Sequence, residues 1–173
     1  MPTIMLTKSL WRRIGGRGPL PPRQNERDDP GRLRVWSARE LIIPEGEFVV
    51  ALEETTYLTI VCPLLPLPSF FVAFAASLGT QLEVLGIAPD IVQAEANAMV
   101  EHPRGAKNDN KSLLGSLNDI AFHALVRFEH ESSGDLPTVQ KVQSELNHTP
   151  HVNRQPCFPD QATRLFFASE GSA

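Results

Sequence analysis

Apolar positions change their period along this chain, and the change divides it in two. Alternating or continuous apolar runs with β-branched residues occupy the first third: Thr3 to Thr7, Arg34 to Ile43, Phe48 to Leu52 and Tyr57 to Cys62. Each predicts a short strand. Pro44-Glu45-Gly46-Glu47 separates two of them as a turn, and the short connections predict that the last three strands form an antiparallel meander. Lys8 to Ile14 has room for one or two helical turns.

From Ser69 onward the period becomes helical. Phe70, Phe71, Phe74, Leu78, Leu82 and Leu85 mark one apolar face of a helix that Ser69 is expected to cap and Gly86 to end. A second helix is expected from Asp90 through Met99, with Ile91, Ala94 and Ala98 inward, and His102 to Asn110 reads as a polar connector. A third helix carries Leu113, Leu117, Ile120, Ala121, Ala124, Leu125 and Phe128 at helical spacing. Pro137 to Leu146 places Val139, Val142 and Leu146 inward, and Asp160 to Phe167 gives a last short amphipathic turn. The expected fold is therefore α+β: a small antiparallel sheet from the N-terminal half packed against a helical C-terminal half. One domain over residues 1–173 is expected, with a flexible loop at about 13–31 and a loosely ordered tail at about 150–173, where prolines and glycines cluster.

Charge alters this picture at one end. The net charge is −4, yet residues 1–40 hold nine Lys/Arg against four acids, and residues 41–173 hold seven against sixteen. Arg12, Arg13 and Arg17 thus form a candidate electrostatic arm toward an anionic partner. Cys62 lies in an apolar run and Cys157 has no partner at metal or redox spacing, which fits a reducing cytoplasm. Ser69 to Leu78 is too short to span a bilayer, and no membrane association is expected.

The chemistry concentrates between Asn110 and His123. Ser112 or Ser116 is expected to cap the third helix, with Ser116-Leu117-Asn118-Asp119 at capping-box spacing, and Gly115 inside that helix is expected to mark close packing. Ser116, Asp119 and His123 fall within about 60° of one another around the helix. Two functions use these residues. A non-catalytic binding or accessory protein would act through Asn110, Lys111, Ser116, Asn118 and Asp119, its partner a protein or a nucleic acid. A small hydrolase or nuclease-like enzyme, a toxin or defence component, would use His123 as base, Asp119 as its orienter and Lys111 as anion stabiliser. Ser116 and His123 stand about 10 Å apart along the axis, too far for a nucleophile–base pair. His148-Thr149-Pro150-His151 lacks a third ligand at metal spacing, so no metal and no cofactor is expected.

Lys111-Ser112-Leu113-Leu114-Gly115-Ser116-Leu117-Asn118-Asp119 resembles the mark of a bacterial family grouped as domain of unknown function six-nine-three-three, Ser-Val/Leu-x-Gly-Ser-Met-Asn-Asp after a polar loop. Leu117 stands for the family's usual Met and Lys111 for its usual Arg. Leu6-Thr7-Lys8-Ser9-Leu10, Trp36-Ser37-Ala38-Arg39-Glu40-Leu41 and Leu146-Asn147 followed by Pro150 are similar to other pieces of that family. The resemblance implies a small cytosolic bacterial α+β protein and no established reaction.

Overall fold

The computed structural model describes residues 2–22, 33–101, 103–131, 133–152 and 154–170. The elements follow in the order β1 (Thr3–Leu6), α1 (Lys8–Arg13), β2 (Val35–Ile43), β3 (Gly46–Glu53), β4 (Thr59–Pro63), α2 (Ser69–Val84), α3 (Pro89–Glu101), β5 (Arg104–Lys107), α4 (Lys111–Glu131), α5 (Leu136–Asn147) and α6 (Pro159–Glu170). The five strands make one sheet in the order β4-β3-β2-β1-β5. The class is α+β, with strands mainly in the N-terminal half and most helices in the C-terminal half.

β2, β3 and β4 form the expected antiparallel meander. The sheet is mixed rather than antiparallel throughout, because β1 pairs in parallel with both β2 and β5. β5 replaces part of the polar connector expected at 102–110. Arg104-Gly105-Ala106-Lys107 carries no β-branched residue, and its pairing to β1 (Met5 opposite Ala106, Leu6 opposite Lys107) overrides that weak local preference.

Strand alternation divides the interior into two cores. Ile4, Leu6, Trp36, Ala38, Val49, Ala51 and Ile60 face Leu10, Phe70, Phe74, Leu78, Leu82 and Phe167. Met5, Leu41, Ile43, Val50, Leu52 and Val61 face Leu113, Leu117, Ile120, Ala124 and Phe128 of α4 and Val139, Val142 and Leu146 of α5. Helices therefore cover both faces. Trp36 meets Phe74 edge-on at 5.1 Å in the first core, and Phe48 stacks on Phe128 at 5.5 Å in the second. Cys62 is buried in the first core, and burial pushes its thiol up to about 12, which makes it inert.

α2 takes the apolar face read from its sequence and ends at Gly86, whose φ of 73° suits a glycine after a helix. Its N-cap is Pro68, with no side-chain hydrogen bond, rather than Ser69. In α3 the buried residues are Val92, Glu95 and Met99, one position on from those expected. Of the loop expected at 13–31, residues 14–22 run from α1 along the outer edge of β5, where Lys107 N–H donates to Pro21 O at 2.8 Å. Residues 23–32 lie outside the described residues. Within the 150–173 stretch, α6 buries Thr163 and Phe167.

Candidate functional site

α4 begins at Lys111, earlier than either serine suggests. Asn110 is the cap: its Oδ1 accepts from Leu113 N–H at 3.0 Å, so neither Ser112 nor Ser116 serves. Asn110 Nδ2 also donates to Glu54 Oε1 at 2.9 Å, which fastens the start of α4 to the end of β3. Asn108, just before, donates through Nδ2 to the buried Ser37 hydroxyl on β2.

With Leu113, Leu117, Ile120, Ala121, Ala124 and Phe128 buried, the remaining positions of α4 that concern the site fall in two adjoining rows, one on each flank of the exposed face. Ser112, Ser116, Asp119 and His123 share one. Lys111, Gly115, Asn118 and Phe122 share the other. Lys111 and His123 are also about 18 Å apart along the axis. The arrangement of His123 as base, Asp119 as orienter and Lys111 as anion stabiliser is therefore not gathered into one place. Among the described residues no hydrogen bond or ion pair joins Asp119 to His123.

The first flank meets a cluster that the sequence did not reveal. Tyr57, in the turn between β3 and β4, has a φ of 62°, a strained conformation for a bulky residue. Three groups hold it. The Arg154 guanidinium lies 3.8 Å from the ring centre, His151 meets the ring edge-on at 4.9 Å, and the Ser116 hydroxyl donates to the phenol oxygen over 3.5 Å. Arg154 also donates to Thr55 O at 3.0 Å and Glu54 O at 3.1 Å. His151 titrates below its ordinary value. Burial is the largest cause, the charges of Arg154 and His123 add to it, and Asp119 opposes it. Its Nε2 is buried without a hydrogen-bond partner. His148 turns elsewhere, its Nδ1 at 3.1 Å from Asp160 Oδ2 and its ring stacked on Phe158, so the two histidines of the 148–151 segment do not converge.

The second flank is open. Arg39, projecting from β2, donates to Asn118 Oδ1 at 2.5 Å. Beside that bond lies a cleft of about 320 Å³ lined by Arg39, Leu41, Ile42, Asn118, Phe122 and Leu125 among others. Phe122 is 64% exposed and Ile42 54%. Gly115 packs against nothing: a Cβ built there meets no atom within 4 Å, so the close packing expected of it is absent. Lys111 is exposed. Of the basic arm, Arg13 pairs with Glu47 at 2.6 Å, while Arg12 and Arg17 are exposed.

No signal in the chain pointed to Tyr57 or Arg154. Arg39 was missed because a strand arginine reads as a solvated charge until its neighbour across the layer is known.

The fold and these two flanks define an α+β protein with helices on both faces of a mixed sheet. The chain matches the family model described as Domain of unknown function (DUF6933) over residues 3–162, and it belongs to that family. No curated protein and no solved structure matches it. No helix among the described residues is long and apolar enough to cross a membrane.

Proposed function

We propose that this chain is a non-catalytic binding protein that engages a protein partner through the open flank of α4. One observation carries the reading. Gly115, a residue that costs about 1 kcal/mol inside a helix, faces open space on the same stripe as the exposed Phe122. Nothing in the fold uses that glycine, and a helix glycine at the surface admits close approach of another backbone. The surroundings have the composition of a contact surface: an aromatic and an aliphatic side chain in water, flanking an Arg–Asn hydrogen bond over a cleft. Asn110, Ser116 and Asn118 tie α4 to Glu54, Tyr57 and Arg39, and Lys111 and Asp119 supply charge on its exposed face.

The enzymatic reading, a hydrolase or nuclease-like activity through His123 and Asp119, has one supporting observation. His151, which burial shifts below its ordinary value, lies close enough to His123 and Asp119 for both to act on its titration. It lacks the nearby anion stabiliser that Lys111 was to supply. The family resemblance and two free cysteines support a bacterial, cytoplasmic setting.

The test is comparative capture. Immobilised wild-type chain is expected to retain a defined partner that Phe122→Ser and Ile42→Ser lose. Val152→Ser, at a site 86% exposed elsewhere, is expected to keep it. Equal capture by all four proteins rejects the reading. Retention of RNA or DNA with a steep salt dependence shifts it to a nucleic-acid partner.

A further inference from the structure

A second site lies away from α4. A cavity of about 710 Å³ opens between α1, the segment that follows it and the end of β5. Its walls bring together Lys8, Arg12 and Lys107 with Trp11, Pro19 and Leu20. The volume lies within the range of small-molecule sites.

Topology explains why the cavity is here. β1 and β5 are adjacent and parallel. The chain leaving β1 enters α1 over the first core, and the chain leaving β5 enters α4 over the second. Neighbouring parallel strands whose connections diverge to opposite faces leave a crevice outside their carboxyl ends, where sheets of this kind hold ligands. Lys8 follows β1 by two residues and Lys107 ends β5. Lys107 pairs with Leu6, whose side chain belongs to the first core, so both lysines lie on the α1 side.

Among the described residues no carboxylate pairs with Lys8, Arg12 or Lys107. Arg12 has a structural use in the last turn of α1, where a cation suits the helix end. Lys8, in the first turn, and Lys107, on a strand, have none. Three like charges around one cavity repel, and a bound anion reverses that cost.

Trp11 adds a second chemistry. Gly16 lies against its indole so closely that a Cβ would sit 2.1 Å from Cδ2, and the indole Nε1 donates to Gly18 O at 3.1 Å. The ring is thus held in one orientation, half-buried at the cavity wall. The Gly15–Gly18 segment, part of the loop expected to be flexible, is the clasp that holds it.

From these observations we infer that the cavity binds a nucleoside phosphate, with its phosphates among Lys8, Arg12 and Lys107 and its base beside Trp11. Titration of the full chain with ADP, GDP, CDP and UDP, read by tryptophan fluorescence and calorimetry, tests this. Trp36 is fully buried, so a fluorescence response reports Trp11. At least one nucleotide is expected to bind saturably, and more weakly as salt rises. Arg12→Gln and Lys107→Gln are expected to weaken it about tenfold or more each, while Lys107→Arg keeps most of the affinity. The matching nucleoside and pyrophosphate are each expected to bind more weakly than the nucleotide. The inference is overturned if none of the four binds, if the Arg12→Gln/Lys107→Gln double variant binds unchanged, or if the nucleoside or pyrophosphate binds as tightly as the nucleotide.

Discussion

Asn147 pairs with Thr59 as a neighbouring strand would. Its Oδ1 accepts from Thr59 N–H at 2.7 Å and its Nδ2 donates to Thr59 O at 2.8 Å. One turn earlier on α5, Gln143 Oε1 accepts from Val61 N–H at 2.7 Å, and its amide donates to Gln81 Oε1 at 2.9 Å. β4 is an edge strand, and α5 satisfies its outward backbone groups with side chains in place of a sixth strand. Asn147→Leu leaves two buried backbone groups without partners, at about 1–3 kcal/mol each. Urea unfolding is expected to register a loss of about 2–6 kcal/mol, and a loss below about 1 kcal/mol would mean that water replaces the amide.

Glu53 gives the fold a pH dependence. It ends β3 almost fully buried, and its Oε2 accepts from Thr55 N–H, Thr56 N–H and the Thr56 hydroxyl at 2.8, 2.7 and 3.0 Å. Those bonds favour the carboxylate, but burial outweighs them and raises the group from 4.5 to about 7. The folded chain therefore holds this proton more tightly than the unfolded chain. Its contribution is full below the unfolded value of 4.5 and is lost as pH rises through about 7. Glu53→Gln keeps a neutral acceptor and removes the titration. Between about pH 4 and about pH 8 the variant is expected to gain about 3 kcal/mol on the wild type in denaturant unfolding. A constant difference across that range would place the Glu53 proton elsewhere.

The meander, α2, α4 and α5 were legible because each buries one regular stripe, and period alone locates such a stripe. The parallel half of the sheet was not. β1 finds β5 about a hundred residues later, and the four residues Arg104 to Lys107 have no pattern until β1 lies beside them. The edge closure was hidden for a related reason: Gln143 and Asn147 read as the wet side of α5, and only the position of β4 makes that side an interior. Within the α4 signature Asn110, Ser116 and Asn118 all make tertiary contacts, to Glu54, Tyr57 and Arg39. The signature did not reveal that Asn118 meets Arg39 while Ser116 meets Tyr57, because which neighbour each flank faces depends on the placement of β2 and of the β3–β4 turn.

Arg154 fastens the 148–158 segment to the β3–β4 turn through two carbonyls and the Tyr57 ring. Arg154→Ala is expected to cost about 1–2 kcal/mol and to speed amide exchange at residues 55–58, where the strained Tyr57 loses its cover. Arg154→Lys is expected to rescue little, because an ammonium cannot present a planar fork to both carbonyls while lying on the ring. Full rescue by lysine would reduce the role of Arg154 to charge alone.

Gly115 separates stability from binding. The helix around it is regular, nothing lies within 4 Å of a Cβ placed there, and alanine is the better helix former. Gly115→Ala is therefore expected to stabilise the chain by up to about 1 kcal/mol, a rise of roughly 2–4 °C in Tm for a domain of this size. If a partner lies close against the stripe of Gly115, Asn118 and Phe122, the added methyl group also weakens capture of that partner although the fold has become firmer. Destabilisation would show that the fold itself needs the glycine. Greater stability with undiminished capture would remove Gly115 from the contact surface and leave Phe122 and Ile42 to define it.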